Sequence, residues 1–439
     1  MKICSFTLHP IAIADPPLRS SYGLHAPFAL RTIVELKTDD GITGISETYG
    51  GDVPLQALEE VRGRVIGMDP FRLAGLFEDL TAAPAAGTAE VPGGRSQTYL
   101  VPGENPLDLN TRTFAAIEIA CLDIIGKAVG RPVCDVIGGR VRDAVSFSAY
   151  LFYKHGGGGG VGADKREDEY GEILDPAAVV RSARQMIGQY GFKEIKLKGG
   201  VLDPEREIES IQQLRTEFGP KVPLRIDPNC AWSVDTSVKV GEALAGELSN
   251  GGYLEDLCPE LEGMGEVRRR LLGKGIATQF GSNVAVTSFP DVPKAKQLDA
   301  VQIVLSDPHY WGGMRQVQLL SHLCGVLNMG LSMHSNSHLG VSMMAMTHVA
   351  AACPNLAYAC DTHYPWQTDI DEVVEGGRIR FHEGTVRIPD RPGLGVTLDY
   401  DQLARGRERY RNIPLRKRDD TAEMRKHVDP NWERVLPRW

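Results

Sequence analysis

Short apolar runs that end in a polar or charged residue return through the second half of the chain at nearly constant spacing. In residues 191–200, Ile195 and Leu197 alternate with Lys196 and Lys198, which is the two-residue period of a strand, so both lysines share one face. Comparable runs cover residues 222–227, 252–255, 276–283, 301–307, 331–334 and 357–361, closing on Asp227, Glu255, Asn283, Asp307, His334 and Asp361. Counted from Lys196, the steps between closing residues are 31, 28, 28, 24, 27 and 27 positions, each the length of one strand, one helix and two loops. Between them lie amphipathic stretches. Asp203-Pro204 supplies an N-cap and a proline at the first helical position, Ile208, Ile211 and Leu214 follow at helical spacing, and Gly219-Pro220 ends the helix. Similar stretches cover 234–248, 267–272, 314–327 and 342–352. Strand and helix in alternation predict a parallel sheet, and at least seven units in series predict a closed (β/α)8 barrel of the α/β class. The polar residues that close the runs then meet at the C-terminal mouth, where barrel enzymes hold their active sites.

The first third follows another pattern. Residues 4–13, 32–38 and 42–47 read as strands, with Gly41 in a turn, and 55–65 and 70–81 read as helices. A Gly, Pro and Ala-rich loop, 82–105, precedes a strongly apolar helix at 113–129, whose Ala115, Ala116, Ala120 and Gly126 suit close packing. The predicted organisation is an α+β capping domain (1–135), a barrel (136–395) and a C-terminal segment returning to the capping domain (396–439). The five glycines Gly156 to Gly160 are followed by no lysine and hydroxyl at phosphate-loop spacing, so a flexible insertion is expected there.

Bulk properties narrow the class. With 439 residues the chain can build a barrel and a smaller domain, and a net charge of -9 argues against nucleic-acid or membrane-surface binding. No apolar run approaches the ~20 residues of a membrane span. The eight cysteines are scattered without metal-type spacing, which fits reduced thiols in a cytoplasmic protein. The apolar helices of a barrel favour a homo-oligomer.

Asp227, Glu255 and Asn283 close three successive strands, so they converge on one side of the mouth. Three oxygen donors without histidine or cysteine suit a hard cation, Mg²⁺ or Mn²⁺. The Lys196/Lys198 pair flanks them on one side and His334 on the other. His309, His322 and His348 fall outside the strand ends or inside helices and read as structural.

Taken with Asp227-Pro-Asn229-x-Ala-Trp232, these residues resemble the enolase superfamily, and within it the glucarate dehydratase group. Gly23-Leu-His25-Ala-Pro-Phe28, Tyr150-Leu-Phe152, His334-Ser-Asn-Ser-His338, Asp361-Thr-His363 and Arg418-Asp-Asp420 carry the same likeness across nearly the whole chain. The resemblance implies that Lys198 and His334 are bases on two faces of an acid sugar, that Asp307 orients His334, and that Lys196 and Asn229 assist. A lysine base works in its neutral form, which cationic Lys196 two residues away favours. The resemblance also implies a small acid-sugar substrate, D-glucarate or L-idarate, losing water, with His334 protonating the departing hydroxyl. By the same likeness, substrate contacts fall on His25 and Thr98 of the capping domain, on Tyr150, Lys196, Asn229, Ser335, Asn336 and His363, and on Arg418 for the distal carboxylate. Two departures stand out. The segment after Glu255 lacks the proline usual two residues on, which leaves Glu260 as an alternative ligand, and Ser20 stands where the family often has asparagine. A dehydratase of another acid sugar, a racemase or lactonising enzyme, and a non-catalytic sugar-acid-binding barrel are the competing readings.

Overall fold

The computed structural model describes residues 1–81 and 109–439; Thr98 lies outside them. Ile3–Ala14, Phe28–Thr38 and Thr43–Tyr49 form an antiparallel sheet with Phe28–Thr38 in the middle, Ile3 facing Thr38 and Thr43 facing Lys37. The Leu109–Val129 helix lies against the last of these strands. Its small residues serve the close packing expected of them: a side chain at Gly44 would collide with the Ala120 carbonyl, and Ser46 Oγ donates to the Ala116 carbonyl at 2.6 Å.

Seven parallel strands follow in sequential order: Ala149–Lys154, Ile195–Lys198, Leu224–Asp227, Tyr253–Glu255, Gln279–Ser282, Ile303–Ser306 and Gly330–Met333. Residues 356–361 complete the circuit as an extended segment rather than a regular strand. Leu356 bridges to Leu331 and Cys360 to Phe147, while Asp361 N donates to the Met333 carbonyl at 2.8 Å. This is the barrel the periodicity predicts.

Helices cover the outside, and those after the first three barrel strands begin on side-chain caps. Pro204–Phe218 is capped by the Asp203 carboxylate, which accepts from Glu205 N. Pro176–Tyr190, absent from the expected set, has the same signature in Asp175-Pro176 and ends on Gly191 at φ 74°. No helix among the described residues is long and apolar enough to cross a membrane.

The glycine run is a packed wedge and not a flexible insertion. Gly159 and Gly160 sit at φ 85° and 67°, where a side chain is strained, and a Cβ on either would collide with the backbone of Asp15 or Asp164. Gly160 N donates to the Pro27 carbonyl at 2.7 Å, so the run fixes the segment that carries Asp15 and His25.

The C-terminal residues pack on both earlier parts. Tyr400–Asn412 lies on Ile3–Ala14, where Arg409 Nη1 donates to the Ala12 carbonyl at 2.7 Å. Asp420–His427 covers Gly23–Leu24, and the final residues bond to the loop after the third barrel strand, Arg438 N to the Ala231 carbonyl at 2.7 Å.

The loop beyond Lys198 is held by a buried carboxylate. Glu207 accepts from the backbone N–H groups of Gly200, Val201 and Leu202 at 2.9, 2.9 and 3.0 Å, and burial pushes its pKa up to about 7. Glu207→Ala leaves those donors without their acceptor and is expected to cost roughly 2–4 kcal/mol, whereas the exposed Glu205→Ala should stay within about 1 kcal/mol. Denaturant unfolding of the two variants checks this, and equal midpoints would refute the role given to Glu207.

Candidate functional site

The barrel alternation turns Lys196 and Lys198 inward, beside Tyr150 and Phe152 on the first strand and Asp227 on the third. Lys196 is fully buried. Its Nζ donates to Glu255 Oε1 at 2.7 Å and Asp361 Oδ2 at 2.6 Å, and sits 4.8 Å above the Tyr150 ring. Burial opposes its charge, but Asp361 and Glu255 outweigh it and hold the ammonium pKa well above the usual lysine value. Lys198 Nζ donates to Asp227 Oδ2 at 2.6 Å.

Asp227, Glu255 and Asp256 place carboxylate oxygens within 4.8 Å of one another. Asp256 is braced elsewhere: Oδ1 accepts from Ser282 Oγ at 2.6 Å, and Oδ2 accepts from Asn283 N at 2.9 Å and Val284 N at 3.1 Å. The Asn283 side-chain amide lies 3.0 Å from Glu255 Oε1 and 3.1 Å from Asp256 Oδ2, where its nitrogen can donate to both carboxylates or, turned about, its oxygen can join them as a donor to a cation. Such a grouping is stable around a cation. The charges point the same way, because among the described residues the buried carboxylates of Asp227, Glu255, Asp256 and Asp361 have only the ammonium groups of Lys196 and Lys198 beside them. Burial and the neighbouring Asp227 push both Glu255 and Asp256 up from ordinary carboxylate values, while the two lysines, against burial, hold Asp227 well down. A divalent cation bound by Asp227, Glu255 and the Asn283 oxygen would remove the excess negative charge. Glu260 is exposed, at φ 65° ahead of the Leu261–Leu272 helix, and stands outside the group formed by Asp227, Glu255 and Asp256.

Across the mouth, Asp307 closes the sixth strand and His334 the seventh. His334 Nδ1 lies 3.1 Å from Asp307 Oδ2, which leaves Nε2 for chemistry. The pairing of His334 with Asp307 expected from their succession is present. Unexpectedly, Asp307 serves two histidines: Oδ1 also bonds His309 Nδ1 at 2.6 Å, so His309 belongs to the site. His322 is exposed, and His348 is structural, receiving Cys134 N on Nδ1 and donating through Nε2 to the Leu394 carbonyl.

One cavity gathers His25, Tyr150, Lys198, Asn229, Asn283, His334, Ser335, Asn336, His363 and Arg418, with Ser20 on its wall. Lys196, Asp227, Glu255 and Asp307 stand immediately behind. Asn229, at φ 46°, donates its side-chain amide to Asp227 Oδ1. His25 Nδ1 is 2.9 Å from Asp15 Oδ2, and Ser335 Oγ is 2.8 Å from His363 Nδ1. Burial, with His25 and His334 nearby, drives His363 well below the usual histidine value and keeps it neutral. Asn336 Nδ2 donates to the Tyr49 hydroxyl at 3.2 Å, and Asp420 grips the Arg418 guanidinium side-on, with Nε to Oδ1 at 2.7 Å. Asp15, Tyr49, Asp256 and the clamp of Asp361 on Lys196 were not assigned from the sequence. Of these only Asp361 carried a signal, as the last residue of the repeating pattern.

The model for the enolase C-terminal domain-like family matches residues 178–403, and that for the mandelate racemase / muconate lactonizing enzyme N-terminal domain matches residues 15–138. A probable glucarate dehydratase of Streptomyces coelicolor is 44% identical over 100% of this chain and 99% of that protein. The chain belongs to the enolase superfamily. Among solved structures of the superfamily, an enolase of Pseudomonas fluorescens with bound magnesium, potassium and tartrate superposes with TM-score 0.92 at 43% identity, over 100% of this chain and 99% of that one. One of Thermobispora bispora with magnesium and formate gives 0.90 at 45% identity, over 100% of both chains. Arg418 lies beyond both matched regions, and Tyr150 and Phe152 fall between them, so the matched domains supply the rest of the cavity wall.

Glu255→Ala and Asp227→Ala should each lower Mg²⁺ affinity at least about 100-fold, while Glu260→Ala leaves it unchanged. Titration calorimetry of the three variants measures this. Loss of binding on changing Glu260 would reverse the assignment.

Proposed function

We propose that the chain is an Mg²⁺-dependent acid-sugar hydro-lyase that converts D-glucarate, and its epimer L-idarate, to 5-dehydro-4-deoxy-D-glucarate. The observation that carries this reading is the placing of two proton-transfer groups, Lys198 and the Asp307-braced His334, in one cavity on either side of the Asp227, Glu255 and Asn283 strands. The full-length likeness to a probable glucarate dehydratase supports the substrate class.

Removing a proton alpha to a carboxylate puts a second negative charge on that carboxylate, which needs counter-charge already in place. Mg²⁺ held by Asp227, Glu255 and Asn283 would supply part of it when bound. Lys196, locked between Glu255 and Asp361, supplies a fixed positive charge that cannot swing away. His334 takes the proton from one face, and Lys198 takes it from the other with His334 already carrying one, so both epimers reach a state in which His334 is protonated. His334, protonated and steadied by Asp307, then delivers a proton to the departing β-hydroxyl, the positioned acid that elimination requires. Asn229, Tyr150, Ser335, Asn336 and His363 hold the chain of hydroxyls. Arg418 and His25, with Thr98, receive the distal carboxylate, where a guanidinium fork is suited to a carboxylate.

Two bases on two faces also suit a racemase. The elimination separates the readings, as does the wall residue Ser20, on which the choice among acid sugars rests. Purified protein with Mg²⁺, offered a panel of acid sugars, should form a 2-keto acid from D-glucarate and L-idarate and from no other. Turnover of different sugars would move the substrate assignment to the wall around Ser20, and epimerisation without a keto product would favour the racemase. His334→Asn should lose dehydration by at least about 10³-fold yet still exchange the α-proton on the Lys198 face in deuterium oxide. Full dehydration by that variant would end the two-base scheme.

A further inference from the structure

A buried hydrogen-bonded chain runs from the capping sheet to His334. In the capping domain, Arg31 Nε donates to Glu47 Oε1 at 2.8 Å, joining neighbouring strands. Arg31 Nη2 also crosses into the barrel and donates to Ser342 Oγ at 3.1 Å. Ser342 Oγ lies 2.8 Å from His309 Nε2, His309 Nδ1 lies 2.6 Å from Asp307 Oδ1, and Asp307 Oδ2 lies 3.1 Å from His334 Nδ1. All six residues are buried. The Glu47 carboxylate accepts in addition from Leu339 N and Ser342 N at 2.9 Å each, so the capping pair holds both backbone and hydroxyl of Ser342.

The direction of the protons follows from donor and acceptor chemistry. A guanidinium only donates. Having accepted from Arg31, the Ser342 hydroxyl has one proton to give, and His309 Nε2 is its one acceptor among the described residues. Nε2 therefore accepts, and His309 carries its single proton on Nδ1, directed at Asp307. A cationic His309 would aim an Nε2–H at the hydroxyl and leave the serine proton unpaired in a buried place, which is costly. A neutral His309 leaves the negative charge of Asp307 to be felt by His334.

We propose that Arg31, Glu47, Ser342 and His309 are positioning residues that keep His309 neutral as its Nδ1–H tautomer and so reserve Asp307 for the imidazolium of His334. The capping domain thereby sets the proton affinity of a group in the barrel. This rests on the reading of His334 as an acid–base group.

The test uses the full chain with Mg²⁺ and D-glucarate in deuterium oxide, following α-proton exchange on each face separately. Ser342→Ala should slow the His334 face about tenfold, with KM and the Lys198 face little changed. In a His309→Asn background, where the amide offers Asp307 a donor that cannot become cationic, Ser342→Ala should have no further effect. Histidine ¹⁵N spectra of the wild type, assigned by loss of the signal in His309→Asn, should show His309 protonated on Nδ1 alone. Equal slowing of both faces, an undiminished Ser342→Ala effect in the His309→Asn background, or an imidazolium or Nε2–H signal would each overturn the proposal. Absence of exchange on the His334 face in the wild type would refute instead the acid–base reading of His334, and the His309 spectrum would still decide the tautomer.

Discussion

The buried imbalance of charge at the barrel mouth is the constraint on which the rest of the structure depends. Asp227, Glu255, Asp256 and Asp361 are withdrawn from water and, among the described residues, have only Lys196 and Lys198 as cationic neighbours. Isolated buried carboxylates are prohibitively costly, and even paired ones are worth little unless every oxygen has a partner. The surrounding loops answer that demand. Asp256 takes three donors from the Ser282–Asn283–Val284 turn, Asp361 takes Lys196 and Ser148, and Asp227 takes Lys198 and Asn229. Glu255 takes Lys196, and the Asn283 amide stands within hydrogen-bond reach of Glu255 and Asp256. Four buried carboxylates against two ammonium groups leave an excess of negative charge, which a bound cation would offset.

The loops that make these contacts carry the backbone strain. Asn229, Cys230 and Asp256 adopt φ of 46°, 62° and 40°, a region costly for side-chain-bearing residues. Cross-links hold them there: Cys230 N donates to the Asp256 carbonyl at 2.6 Å, and Asn229 N to Asp227 Oδ1 at 3.0 Å. A ligand side chain is thereby aimed by two neighbouring loops instead of one. Asparagine and aspartate tolerate this conformation better than most residues, which is part of why these loops are rich in them.

Much of this was legible in the chain because a barrel repeats. Strand closings at a regular interval predict where Lys198, Asp227, Glu255, Asn283, Asp307 and His334 come together, and a common register brings them to one cavity. Contacts between distant segments have no such period. Nothing in residues 15 or 49 marks Asp15 as the partner of His25 or Tyr49 as the partner of Asn336, since each pairing exists only after the capping sheet docks on the barrel. His309 was misread for a related reason. It stands two residues past the strand end, and only the turn of the Asp307 loop folds it back onto the carboxylate. The glycine run looked like slack chain because five glycines carry no side-chain information; what they permit is the close approach of another backbone.

The placing of ionic groups between the two domains argues that docking and chemistry are not separable here. Arg31 and Glu47 form their pair within the capping sheet, yet two donors of the segment after His334, Leu339 N and Ser342 N, and one acceptor, the Ser342 hydroxyl, are tied to it. Undocking the domains would leave the Glu47 carboxylate and the start of the Gly340–Ala352 helix with unmet hydrogen bonds in the same step. The geometry at His334 is accordingly as stiff as the interface. A capping domain held by apolar contact alone could tilt over the barrel without disturbing His334, whereas one held through Ser342 cannot move without loosening the support of Asp307.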